Sequence, residues 1–299
     1  MVCAYIRNME AKMLRALKKK ALLAMGIFLL ASKGHASLLG SYIDLDTGYR
    51  TDNITTTGLA ITDDFSVFRV PSISIEDQQT FLLGGKLQWV SCSNVFIKAD
   101  GHYGWVLDGH TAFLDPASSK NGHTSDASLG FGYYSCLCNA WNLALSAGWS
   151  YDYYTCRSIE DQAESPNPRN MEYTSRFQGP WIGVGLIYQP CDSLDILVNY
   201  ELHHGCWKFN RENVDSKFLE QSYNNNMWGQ VVEFDTTWTF ENCWHLGCDL
   251  KWKFYHDQNQ KHSGIHYKNS SADVPGLHTA VTSASWQIFT ATVHFGRSF

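Results

Sequence analysis

Apolar and polar residues alternate along most of the chain from residue 41 onward. In the stretch that starts at Trp141, the odd positions are Trp141, Leu143, Leu145, Ala147, Trp149, Tyr151 and Tyr153, and the even ones are Asn142, Ala144, Ser146, Gly148, Ser150 and Asp152. Leu194, Ile196, Val198, Tyr200 and Leu202 alternate in the same way with Asp195, Asn199, Glu201 and His203. The pattern returns over 231–240, and again where Trp244, Leu246, Cys248, Leu250, Trp252 and Phe254 interleave with His245, Gly247, Asp249, Lys251 and Lys253. Successive side chains of a strand point to opposite faces, so each stretch predicts a strand with one apolar and one polar face. The runs are long beside the about five or six residues of an ordinary strand. Their apolar faces also end in Trp, Tyr or Phe, as in a transmembrane barrel whose lipid-facing band lies between aromatic girdles around a polar interior.

The pattern predicts an all-β protein, an antiparallel transmembrane barrel with strands near 41–53, 79–90, 94–108, 125–137, 141–156, 173–190, 194–209, 227–241, 243–257 and 281–299, ten in all. Tight turns at Ser91–Ser93, Cys138–Ala140, Cys191–Ser193 and Glu241–Asn242 alternate with long polar connections over 54–78, 109–124, 157–172, 210–226 and 258–280. Short turns belong to the periplasmic side of such a barrel and long connections to the outside. The segment 65–75, FSVFRVPSISI, also reads as a strand despite Pro71, which leaves twelve strands as the alternative count. Phe289, Ala291, Val293, Phe295 and Phe299 share one face at the C-terminus. A chain ending this way, on an aromatic Phe299, resembles the substrates of the outer-membrane assembly machinery.

The first 36 residues change the picture of what is folded. Arg7, Lys12, Arg15 and Lys18–Lys20 precede the apolar run Ala21–Ala31, and Gly34-His35-Ala36 supplies small residues where a signal peptidase reads. The three parts together predict a secretory signal peptide over 1–36, cleaved after Ala36, and a single barrel domain over 37–299. The apolar run is too short to cross about 30 Å of hydrocarbon as an anchor. The whole chain has 23 basic and 29 acidic residues; removing residues 1–36 takes seven of the first and one of the second, leaving 16 against 28 and a net charge of −12. So acidic a surface argues against nucleic acid as a partner. No phosphate-binding glycine loop and no nucleophile elbow is present. The adjacent His203 and His204 point to opposite faces of a strand and cannot easily share a metal, so no cofactor or metal is expected.

Two stretches carry a resemblance. LLGGKLQWVSCSNVFIKADGHYGW (82–105) is similar to the second hairpin of the omptins, the ten-stranded outer-membrane proteases, and YTSRFQGPWIGVGLIY (173–188) is similar to their sixth strand. The cysteines, the acidic charge and the Trp-rich strands also resemble the Protochlamydia outer membrane proteins, which are regarded as porins. Together these imply an omptin-like barrel in the outer membrane of a chlamydia-like bacterium. The omptin resemblance implies an Asp-x-Asp pair in the second outer loop and an Asp-x-His pair in the fourth, which activate a water between them. Here the second loop offers Asp108 and Asp115, and the fourth offers Glu212 and Asp215 without a histidine. Asp108-Gly109-His110 has the second spacing in the wrong loop, so no catalytic residue is expected.

If the apolar faces meet lipid, the lumen is lined by Asp44, Asp46, Lys86, Lys98, Asp100, Asp152, Asp195, Glu201, Glu233, Asp235, Asp249, Lys251 and Lys253. The carboxylate surplus and the chlamydial resemblance predict a porin-like channel for small hydrophilic solutes. The narrow lumen of a small barrel predicts the alternative, a plug of ion pairs with function moved to the outer loops. Cys3 leaves with the leader, and eight cysteines remain. Each tight turn contains or abuts one of Cys92, Cys138 (with Cys136 nearby), Cys191 and Cys243. In an oxidising compartment these predict disulfide links to neighbouring envelope proteins. Cys156 and Cys206, toward the outer rim, are candidates for a pair of their own.

Overall fold

The computed structural model describes residues 38–62, 67–112, 116–160, 169–213, 218–240, 242–257, 264–268 and 277–299. The leader and its cleavage site lie outside the described residues. The elements are β1 (Tyr42–Thr62), β2 (Val67–Val90), β3 (Val95–Ala112), β4 (Pro116–Cys138), β5 (Trp141–Glu160), β6 (Arg169–Cys191), β7 (Leu194–Asn213), β8 (Phe218–Thr239), β9 (Trp244–Asp257), β10 (Gly264–Lys268) and β11 (Leu277–Ser298). Neighbours in sequence pair antiparallel from β1 to β9. The ring closes through β11, which pairs with β9 on one side and with β1 on the other, from Tyr42↔Ser298 to Thr62↔Leu277. The short β10 pairs with β8 beyond the end of β9, from Gly264↔Tyr223 to Lys268↔Leu219. The wall is therefore a closed barrel of ten spanning strands. Closure is what lipid demands, because an open edge would leave backbone donors and acceptors without partners.

The strands run further than the alternation predicted. Residues 54–62 extend β1 and 67–78 extend β2, and these two extensions pair with each other, so the segment 65–75 adds no separate strand. The long connections 109–124, 157–172 and 210–226 likewise begin and end as paired strand. At about 3.3 Å per residue, strands of 20 residues and more exceed the nine to eleven that cross a bilayer, so the barrel wall stands out beyond the membrane on the outside. Outside lipid neither face has to be apolar, and Thr- and Asn-rich sequence such as 52–57 forms strand with no alternation to betray it. Bulges between Asp52 and Ile54 and at Glu76–Gln79, with Asp77 at φ 51°, bend this outer wall. At the other end the turns are tight. Asn94 (φ 62°) and Cys243 (φ 62°) take the left-handed conformation that reverses the chain in so few residues.

Inside and outside are inverted relative to a water-soluble protein. Leu45, Phe131 and Ile182 are 66%, 63% and 63% exposed on the outer surface, within a belt that also carries Trp89, Trp105, Trp149, Trp238 and Trp252. Arg50, Asp52 and Asp152 are 0% exposed inside. Glycines give the lumen room for bulky residues. Gly130 and Gly148 face each other across β4 and β5, and a Cβ on either would stand 2.6 Å from the ring of the inward-pointing Trp181.

Candidate functional site: the filled lumen

Three layers of side chains occupy the lumen, and their order follows from the inward positions of each strand. Along β1 these positions read Asp44, Asp46, Gly48, Arg50, Asp52 and Ile54 from the periplasmic end outward. The periplasmic layer is an apolar cluster of Phe96, Tyr134, Ala144 and Ile187, with Leu39, Val90 and Leu197 against it. The middle layer is charged. The outer layer is apolar again: Ile54, Ile75, Tyr154, Tyr173, Phe177, Trp207, Phe209, Tyr255 and Trp286 are among its residues, and every spanning strand but β4 contributes.

The middle layer is built from clusters of ion pairs. Lys86 Nζ lies 2.7 Å from Asp249, 3.1 Å from Asp235 and 3.9 Å from Glu233, and Lys251 reaches Glu233 at 3.3 Å. Lys98 pairs with Glu201 at 3.2 Å, and Asn199 donates to both Glu201 (3.0 Å) and Glu233 (3.2 Å). Further out, Arg50 forks onto Asp52 through Nε (2.8 Å) and Nη2 (2.7 Å) and holds Asp126 through Nη1 (3.2 Å). Trp286 Nε1 donates to the same Asp52 at 2.9 Å. Asp152 accepts from Lys253 Nζ and from the Tyr255 hydroxyl, both at 2.6 Å. Nearer the periplasm, Asp44 meets His245, and Asp195 accepts from Gln189 at 2.6 Å. Bidentate and charge-assisted bonds of this kind are the geometry that offsets the desolvation of buried charge.

Two constellations have the parts of a chemical site. Ligand atoms of Asp100, His102 and Asp126 lie within 4.8 Å of one another, a set that could hold a divalent ion. Both His102 nitrogens already face carboxylate oxygens, Asp126 at 2.9 Å and Asp46 at 3.1 Å, and Arg50 stands on the far oxygen of Asp126. Carboxylates accept only, so this ring is placed to donate from both sides. Ser150, His203 and Glu201 form a hydroxyl–imidazole–carboxylate chain with steps of 2.9 and 2.9 Å. Ser150 is buried, Trp181 stacks beside His203, and the Phe177 ring lies tilted against it. The three side chains form part of the buried hydrogen-bond network of the lumen.

The lumen set read from the sequence held the lysines and most of the acids; it left out Arg50, Asp52, Asp126, His102 and His294, and also His203 and His245, which the alternation had placed on polar faces. Parity held the signal for Arg50 and Asp52, which continue the even face of Asp44 and Asp46. A cavity of about 60 Å³ lies between the periplasmic layer and Lys86, Lys98 and Asp100, room for a few waters. Beyond it Arg50, Asp52, Asp152, Tyr255 and Trp286 are fully buried. Of the omptin positions, Asp108 and His110 stand in β3 opposite Gln79 and Glu76, while Asp115 and Asp215 lie outside the described residues.

No disulfide forms among the described residues. Cys92, Cys136, Cys138 and Cys191 are exposed at the periplasmic rim, and Cys243 is half-buried there. Cys248 is exposed on the lipid face of β9. The candidate pair is corrected: Cys156 is buried in the outer apolar layer of β5, whereas Cys206 is on the outer face of β7, and β6 runs between them. Sulfurs on opposite sides of a barrel wall cannot be bridged.

A closed antiparallel barrel with an aromatic lipid-facing belt and a filled polar lumen defines an outer-membrane β-barrel protein. This chain belongs to the Protochlamydia outer membrane protein family, whose model matches residues 44–299. Its fold is similar to that of the outer membrane protease OmpT of Escherichia coli, with a TM-score of 0.67 and 13% identity over 86% of this chain and 97% of that one. At that identity the likeness is one of fold. The toluene transporter TodX of P. putida (TM-score 0.35, 10% identity, 87% of this chain and 90% of that) and a FadL homologue of Pseudomonas aeruginosa (0.32, 8%, 86% and 90%) are more distant. No curated protein matches.

Proposed function

We propose that the protein is a closed structural barrel of the outer membrane, and that its rim cysteines join it to neighbouring envelope proteins. The observation that carries the closed state is the complete burial of Arg50, Asp52, Asp152 and Trp286, all 0% exposed in the middle of the barrel. A porin-like channel needs a continuous water path, and wide aqueous channels belong to barrels of about sixteen strands. A surplus of carboxylates selects cations only where solvent reaches it. The thiols support the second half: the periplasmic turns present four exposed cysteines in a compartment where thiols oxidise.

Reconstitution of the refolded, reduced barrel in a planar bilayer tests the closed state. Silence, with folding confirmed by heat-modifiable migration on a gel, is the expected result. Discrete, stable current steps would return the protein to the porins and make Lys86, Asp235 and Asp249 its selectivity determinants.

A further inference from the structure

A short segment that belongs to no strand lies across the periplasmic mouth. Residues 38–40 turn into the barrel just ahead of β1. The Leu38 amide donates to Asp195 Oδ2 at 2.7 Å, and the Leu38 carbonyl accepts from Gln88 Nε2 at 2.7 Å. The Tyr134 hydroxyl lies 3.2 Å from that carbonyl and 3.0 Å from Gln88 Oε1, and Gln88 Nε2 also reaches the Gly40 carbonyl at 3.0 Å. Asp195, Gln88 and Tyr134 come from β7, β2 and β4, strands that are not neighbours, so the bonds span the opening. They are 3%, 3% and 7% exposed, and Leu38 itself is 7% exposed.

We infer that the periplasmic mouth is a peptide-binding cradle, filled in cis by residues 38–40, and that this stopper seals the cavity behind it from the periplasm. The ligand is defined by what the walls offer. One acceptor and two donors read the amide and the carbonyl of a single residue, and Phe96, Tyr134 and Ile187 provide an apolar floor beside it. Three polar side chains buried this deeply are costly unless paired, and the backbone of Leu38 and Gly40 pairs them. Leu38, Phe96 and Tyr134 line one side of the cavity, and Lys86, Lys98 and Asp100 line the other. The stopper thus stands between bulk water and the first lysines of the charged layer. The inference deepens the closed-barrel reading, and its test reads the inner mouth by itself.

Ser146 lines the same cavity. In a Ser146→Cys barrel, labelling by a charged, membrane-impermeant methanethiosulfonate, located by peptide mapping so that the native cysteines are read separately, reports whether the mouth is sealed. The Ser146→Cys thiol labels slowly with Leu38 in place and at least about tenfold faster when Leu38→Asp sets a second carboxylate against Asp195 and expels the segment. If Leu38→Asp does not fold, Asp195→Ala serves instead, read by hydrogen exchange in the peptide that carries residues 38–40. That peptide is protected in the unaltered barrel and exchanges freely in the variant, while the strands keep their protection. Equal labelling with and without the stopper, or free exchange of residues 38–40 in the unaltered barrel, overturns the inference. Fast labelling of the unaltered mouth in a barrel that is silent in the bilayer overturns the stopper and leaves the closed lumen standing. Current steps overturn the closed lumen itself.

Discussion

At the scale of single residues the lumen is held by pairs whose members cannot be removed one at a time. Arg50 is the clearest case, fully buried and shared between Asp52 at 2.7 Å and Asp126 at 3.2 Å, with Trp286 closing over it at 5.9 Å. Breaking a buried pair from one side leaves a charge without solvent or partner and costs about 3–5 kcal/mol. Arg50→Met is therefore expected to destabilise the refolded barrel by about that amount in urea unfolding. Adding Asp52→Asn to Arg50→Met recovers part of the loss, because one stranded carboxylate is neutralised. A change well under about 1 kcal/mol for the single variant, the size of a surface pair, would show that water reaches the guanidinium. The same residue marks a limit of the sequence. The parity of β1 places Arg50 inside, but whether an inward charge lines a water path or meets a partner depends on strands distant in sequence, and Asp126 is on β4. Alternation tells which face a residue is on and is silent about what stands opposite it across the lumen.

At the scale of elements, the tight turns and the membrane-crossing halves of the strands were legible because lipid imposes an apolar face on every second residue. The outer halves were not, since no lipid imposes an apolar outer face on them there, as in the match of 58–61 with 67–70. Glycines inside the strands also had a readable purpose, and its target became visible only in three dimensions. Gly148 lies against Trp181 on the lumen side, and a Cβ there would meet Leu129 O at 2.3 Å and Trp181 Cζ2 at 2.6 Å. The backbone oxygen cannot yield cheaply, and the indole has no free space to move into. Gly148→Val is expected to cost about 1–3 kcal/mol of overpacking and to change the near-ultraviolet signal of the tryptophans. Gly101 is the control. Its added Cβ would find Asp126 O at 3.4 Å as its nearest neighbour, so Gly101→Ala leaves the unfolding midpoint close to unchanged. Equal effects at the two positions would mean that Trp181 does not fill the slot between β4 and β5.

At the scale of the whole molecule, the two ends of the barrel differ in chemistry. The periplasmic rim carries exposed thiols at Cys92, Cys136, Cys138 and Cys191, while Cys156, toward the outer end, is buried in the apolar layer. Barrel closure satisfies the strand edges without any cross-link, so thiols gathered on one rim have no internal task and are free to react with other proteins. They are not equivalent. A hydrogen bond from the Ser193 hydroxyl, with backbone bonds beside it, lowers the pKa of the exposed Cys191 thiol below the ordinary cysteine value. A lowered pKa raises the thiolate fraction near neutral pH, and the thiolate is the nucleophile. Cys191 is thus expected to be modified first when maleimide–polyethylene glycol is added to the folded barrel, and its rate levels off at a lower pH than that of a free cysteine. Cys156 becomes reactive only after unfolding. In native envelopes the same asymmetry predicts disulfide-linked species that collapse to monomer on reduction, with Cys191→Ser weakening them more than Cys248→Ser. Monomer alone on non-reducing gels would sink the cross-linking half of the proposed function, and the filled lumen would remain as a property of a barrel that stands unlinked.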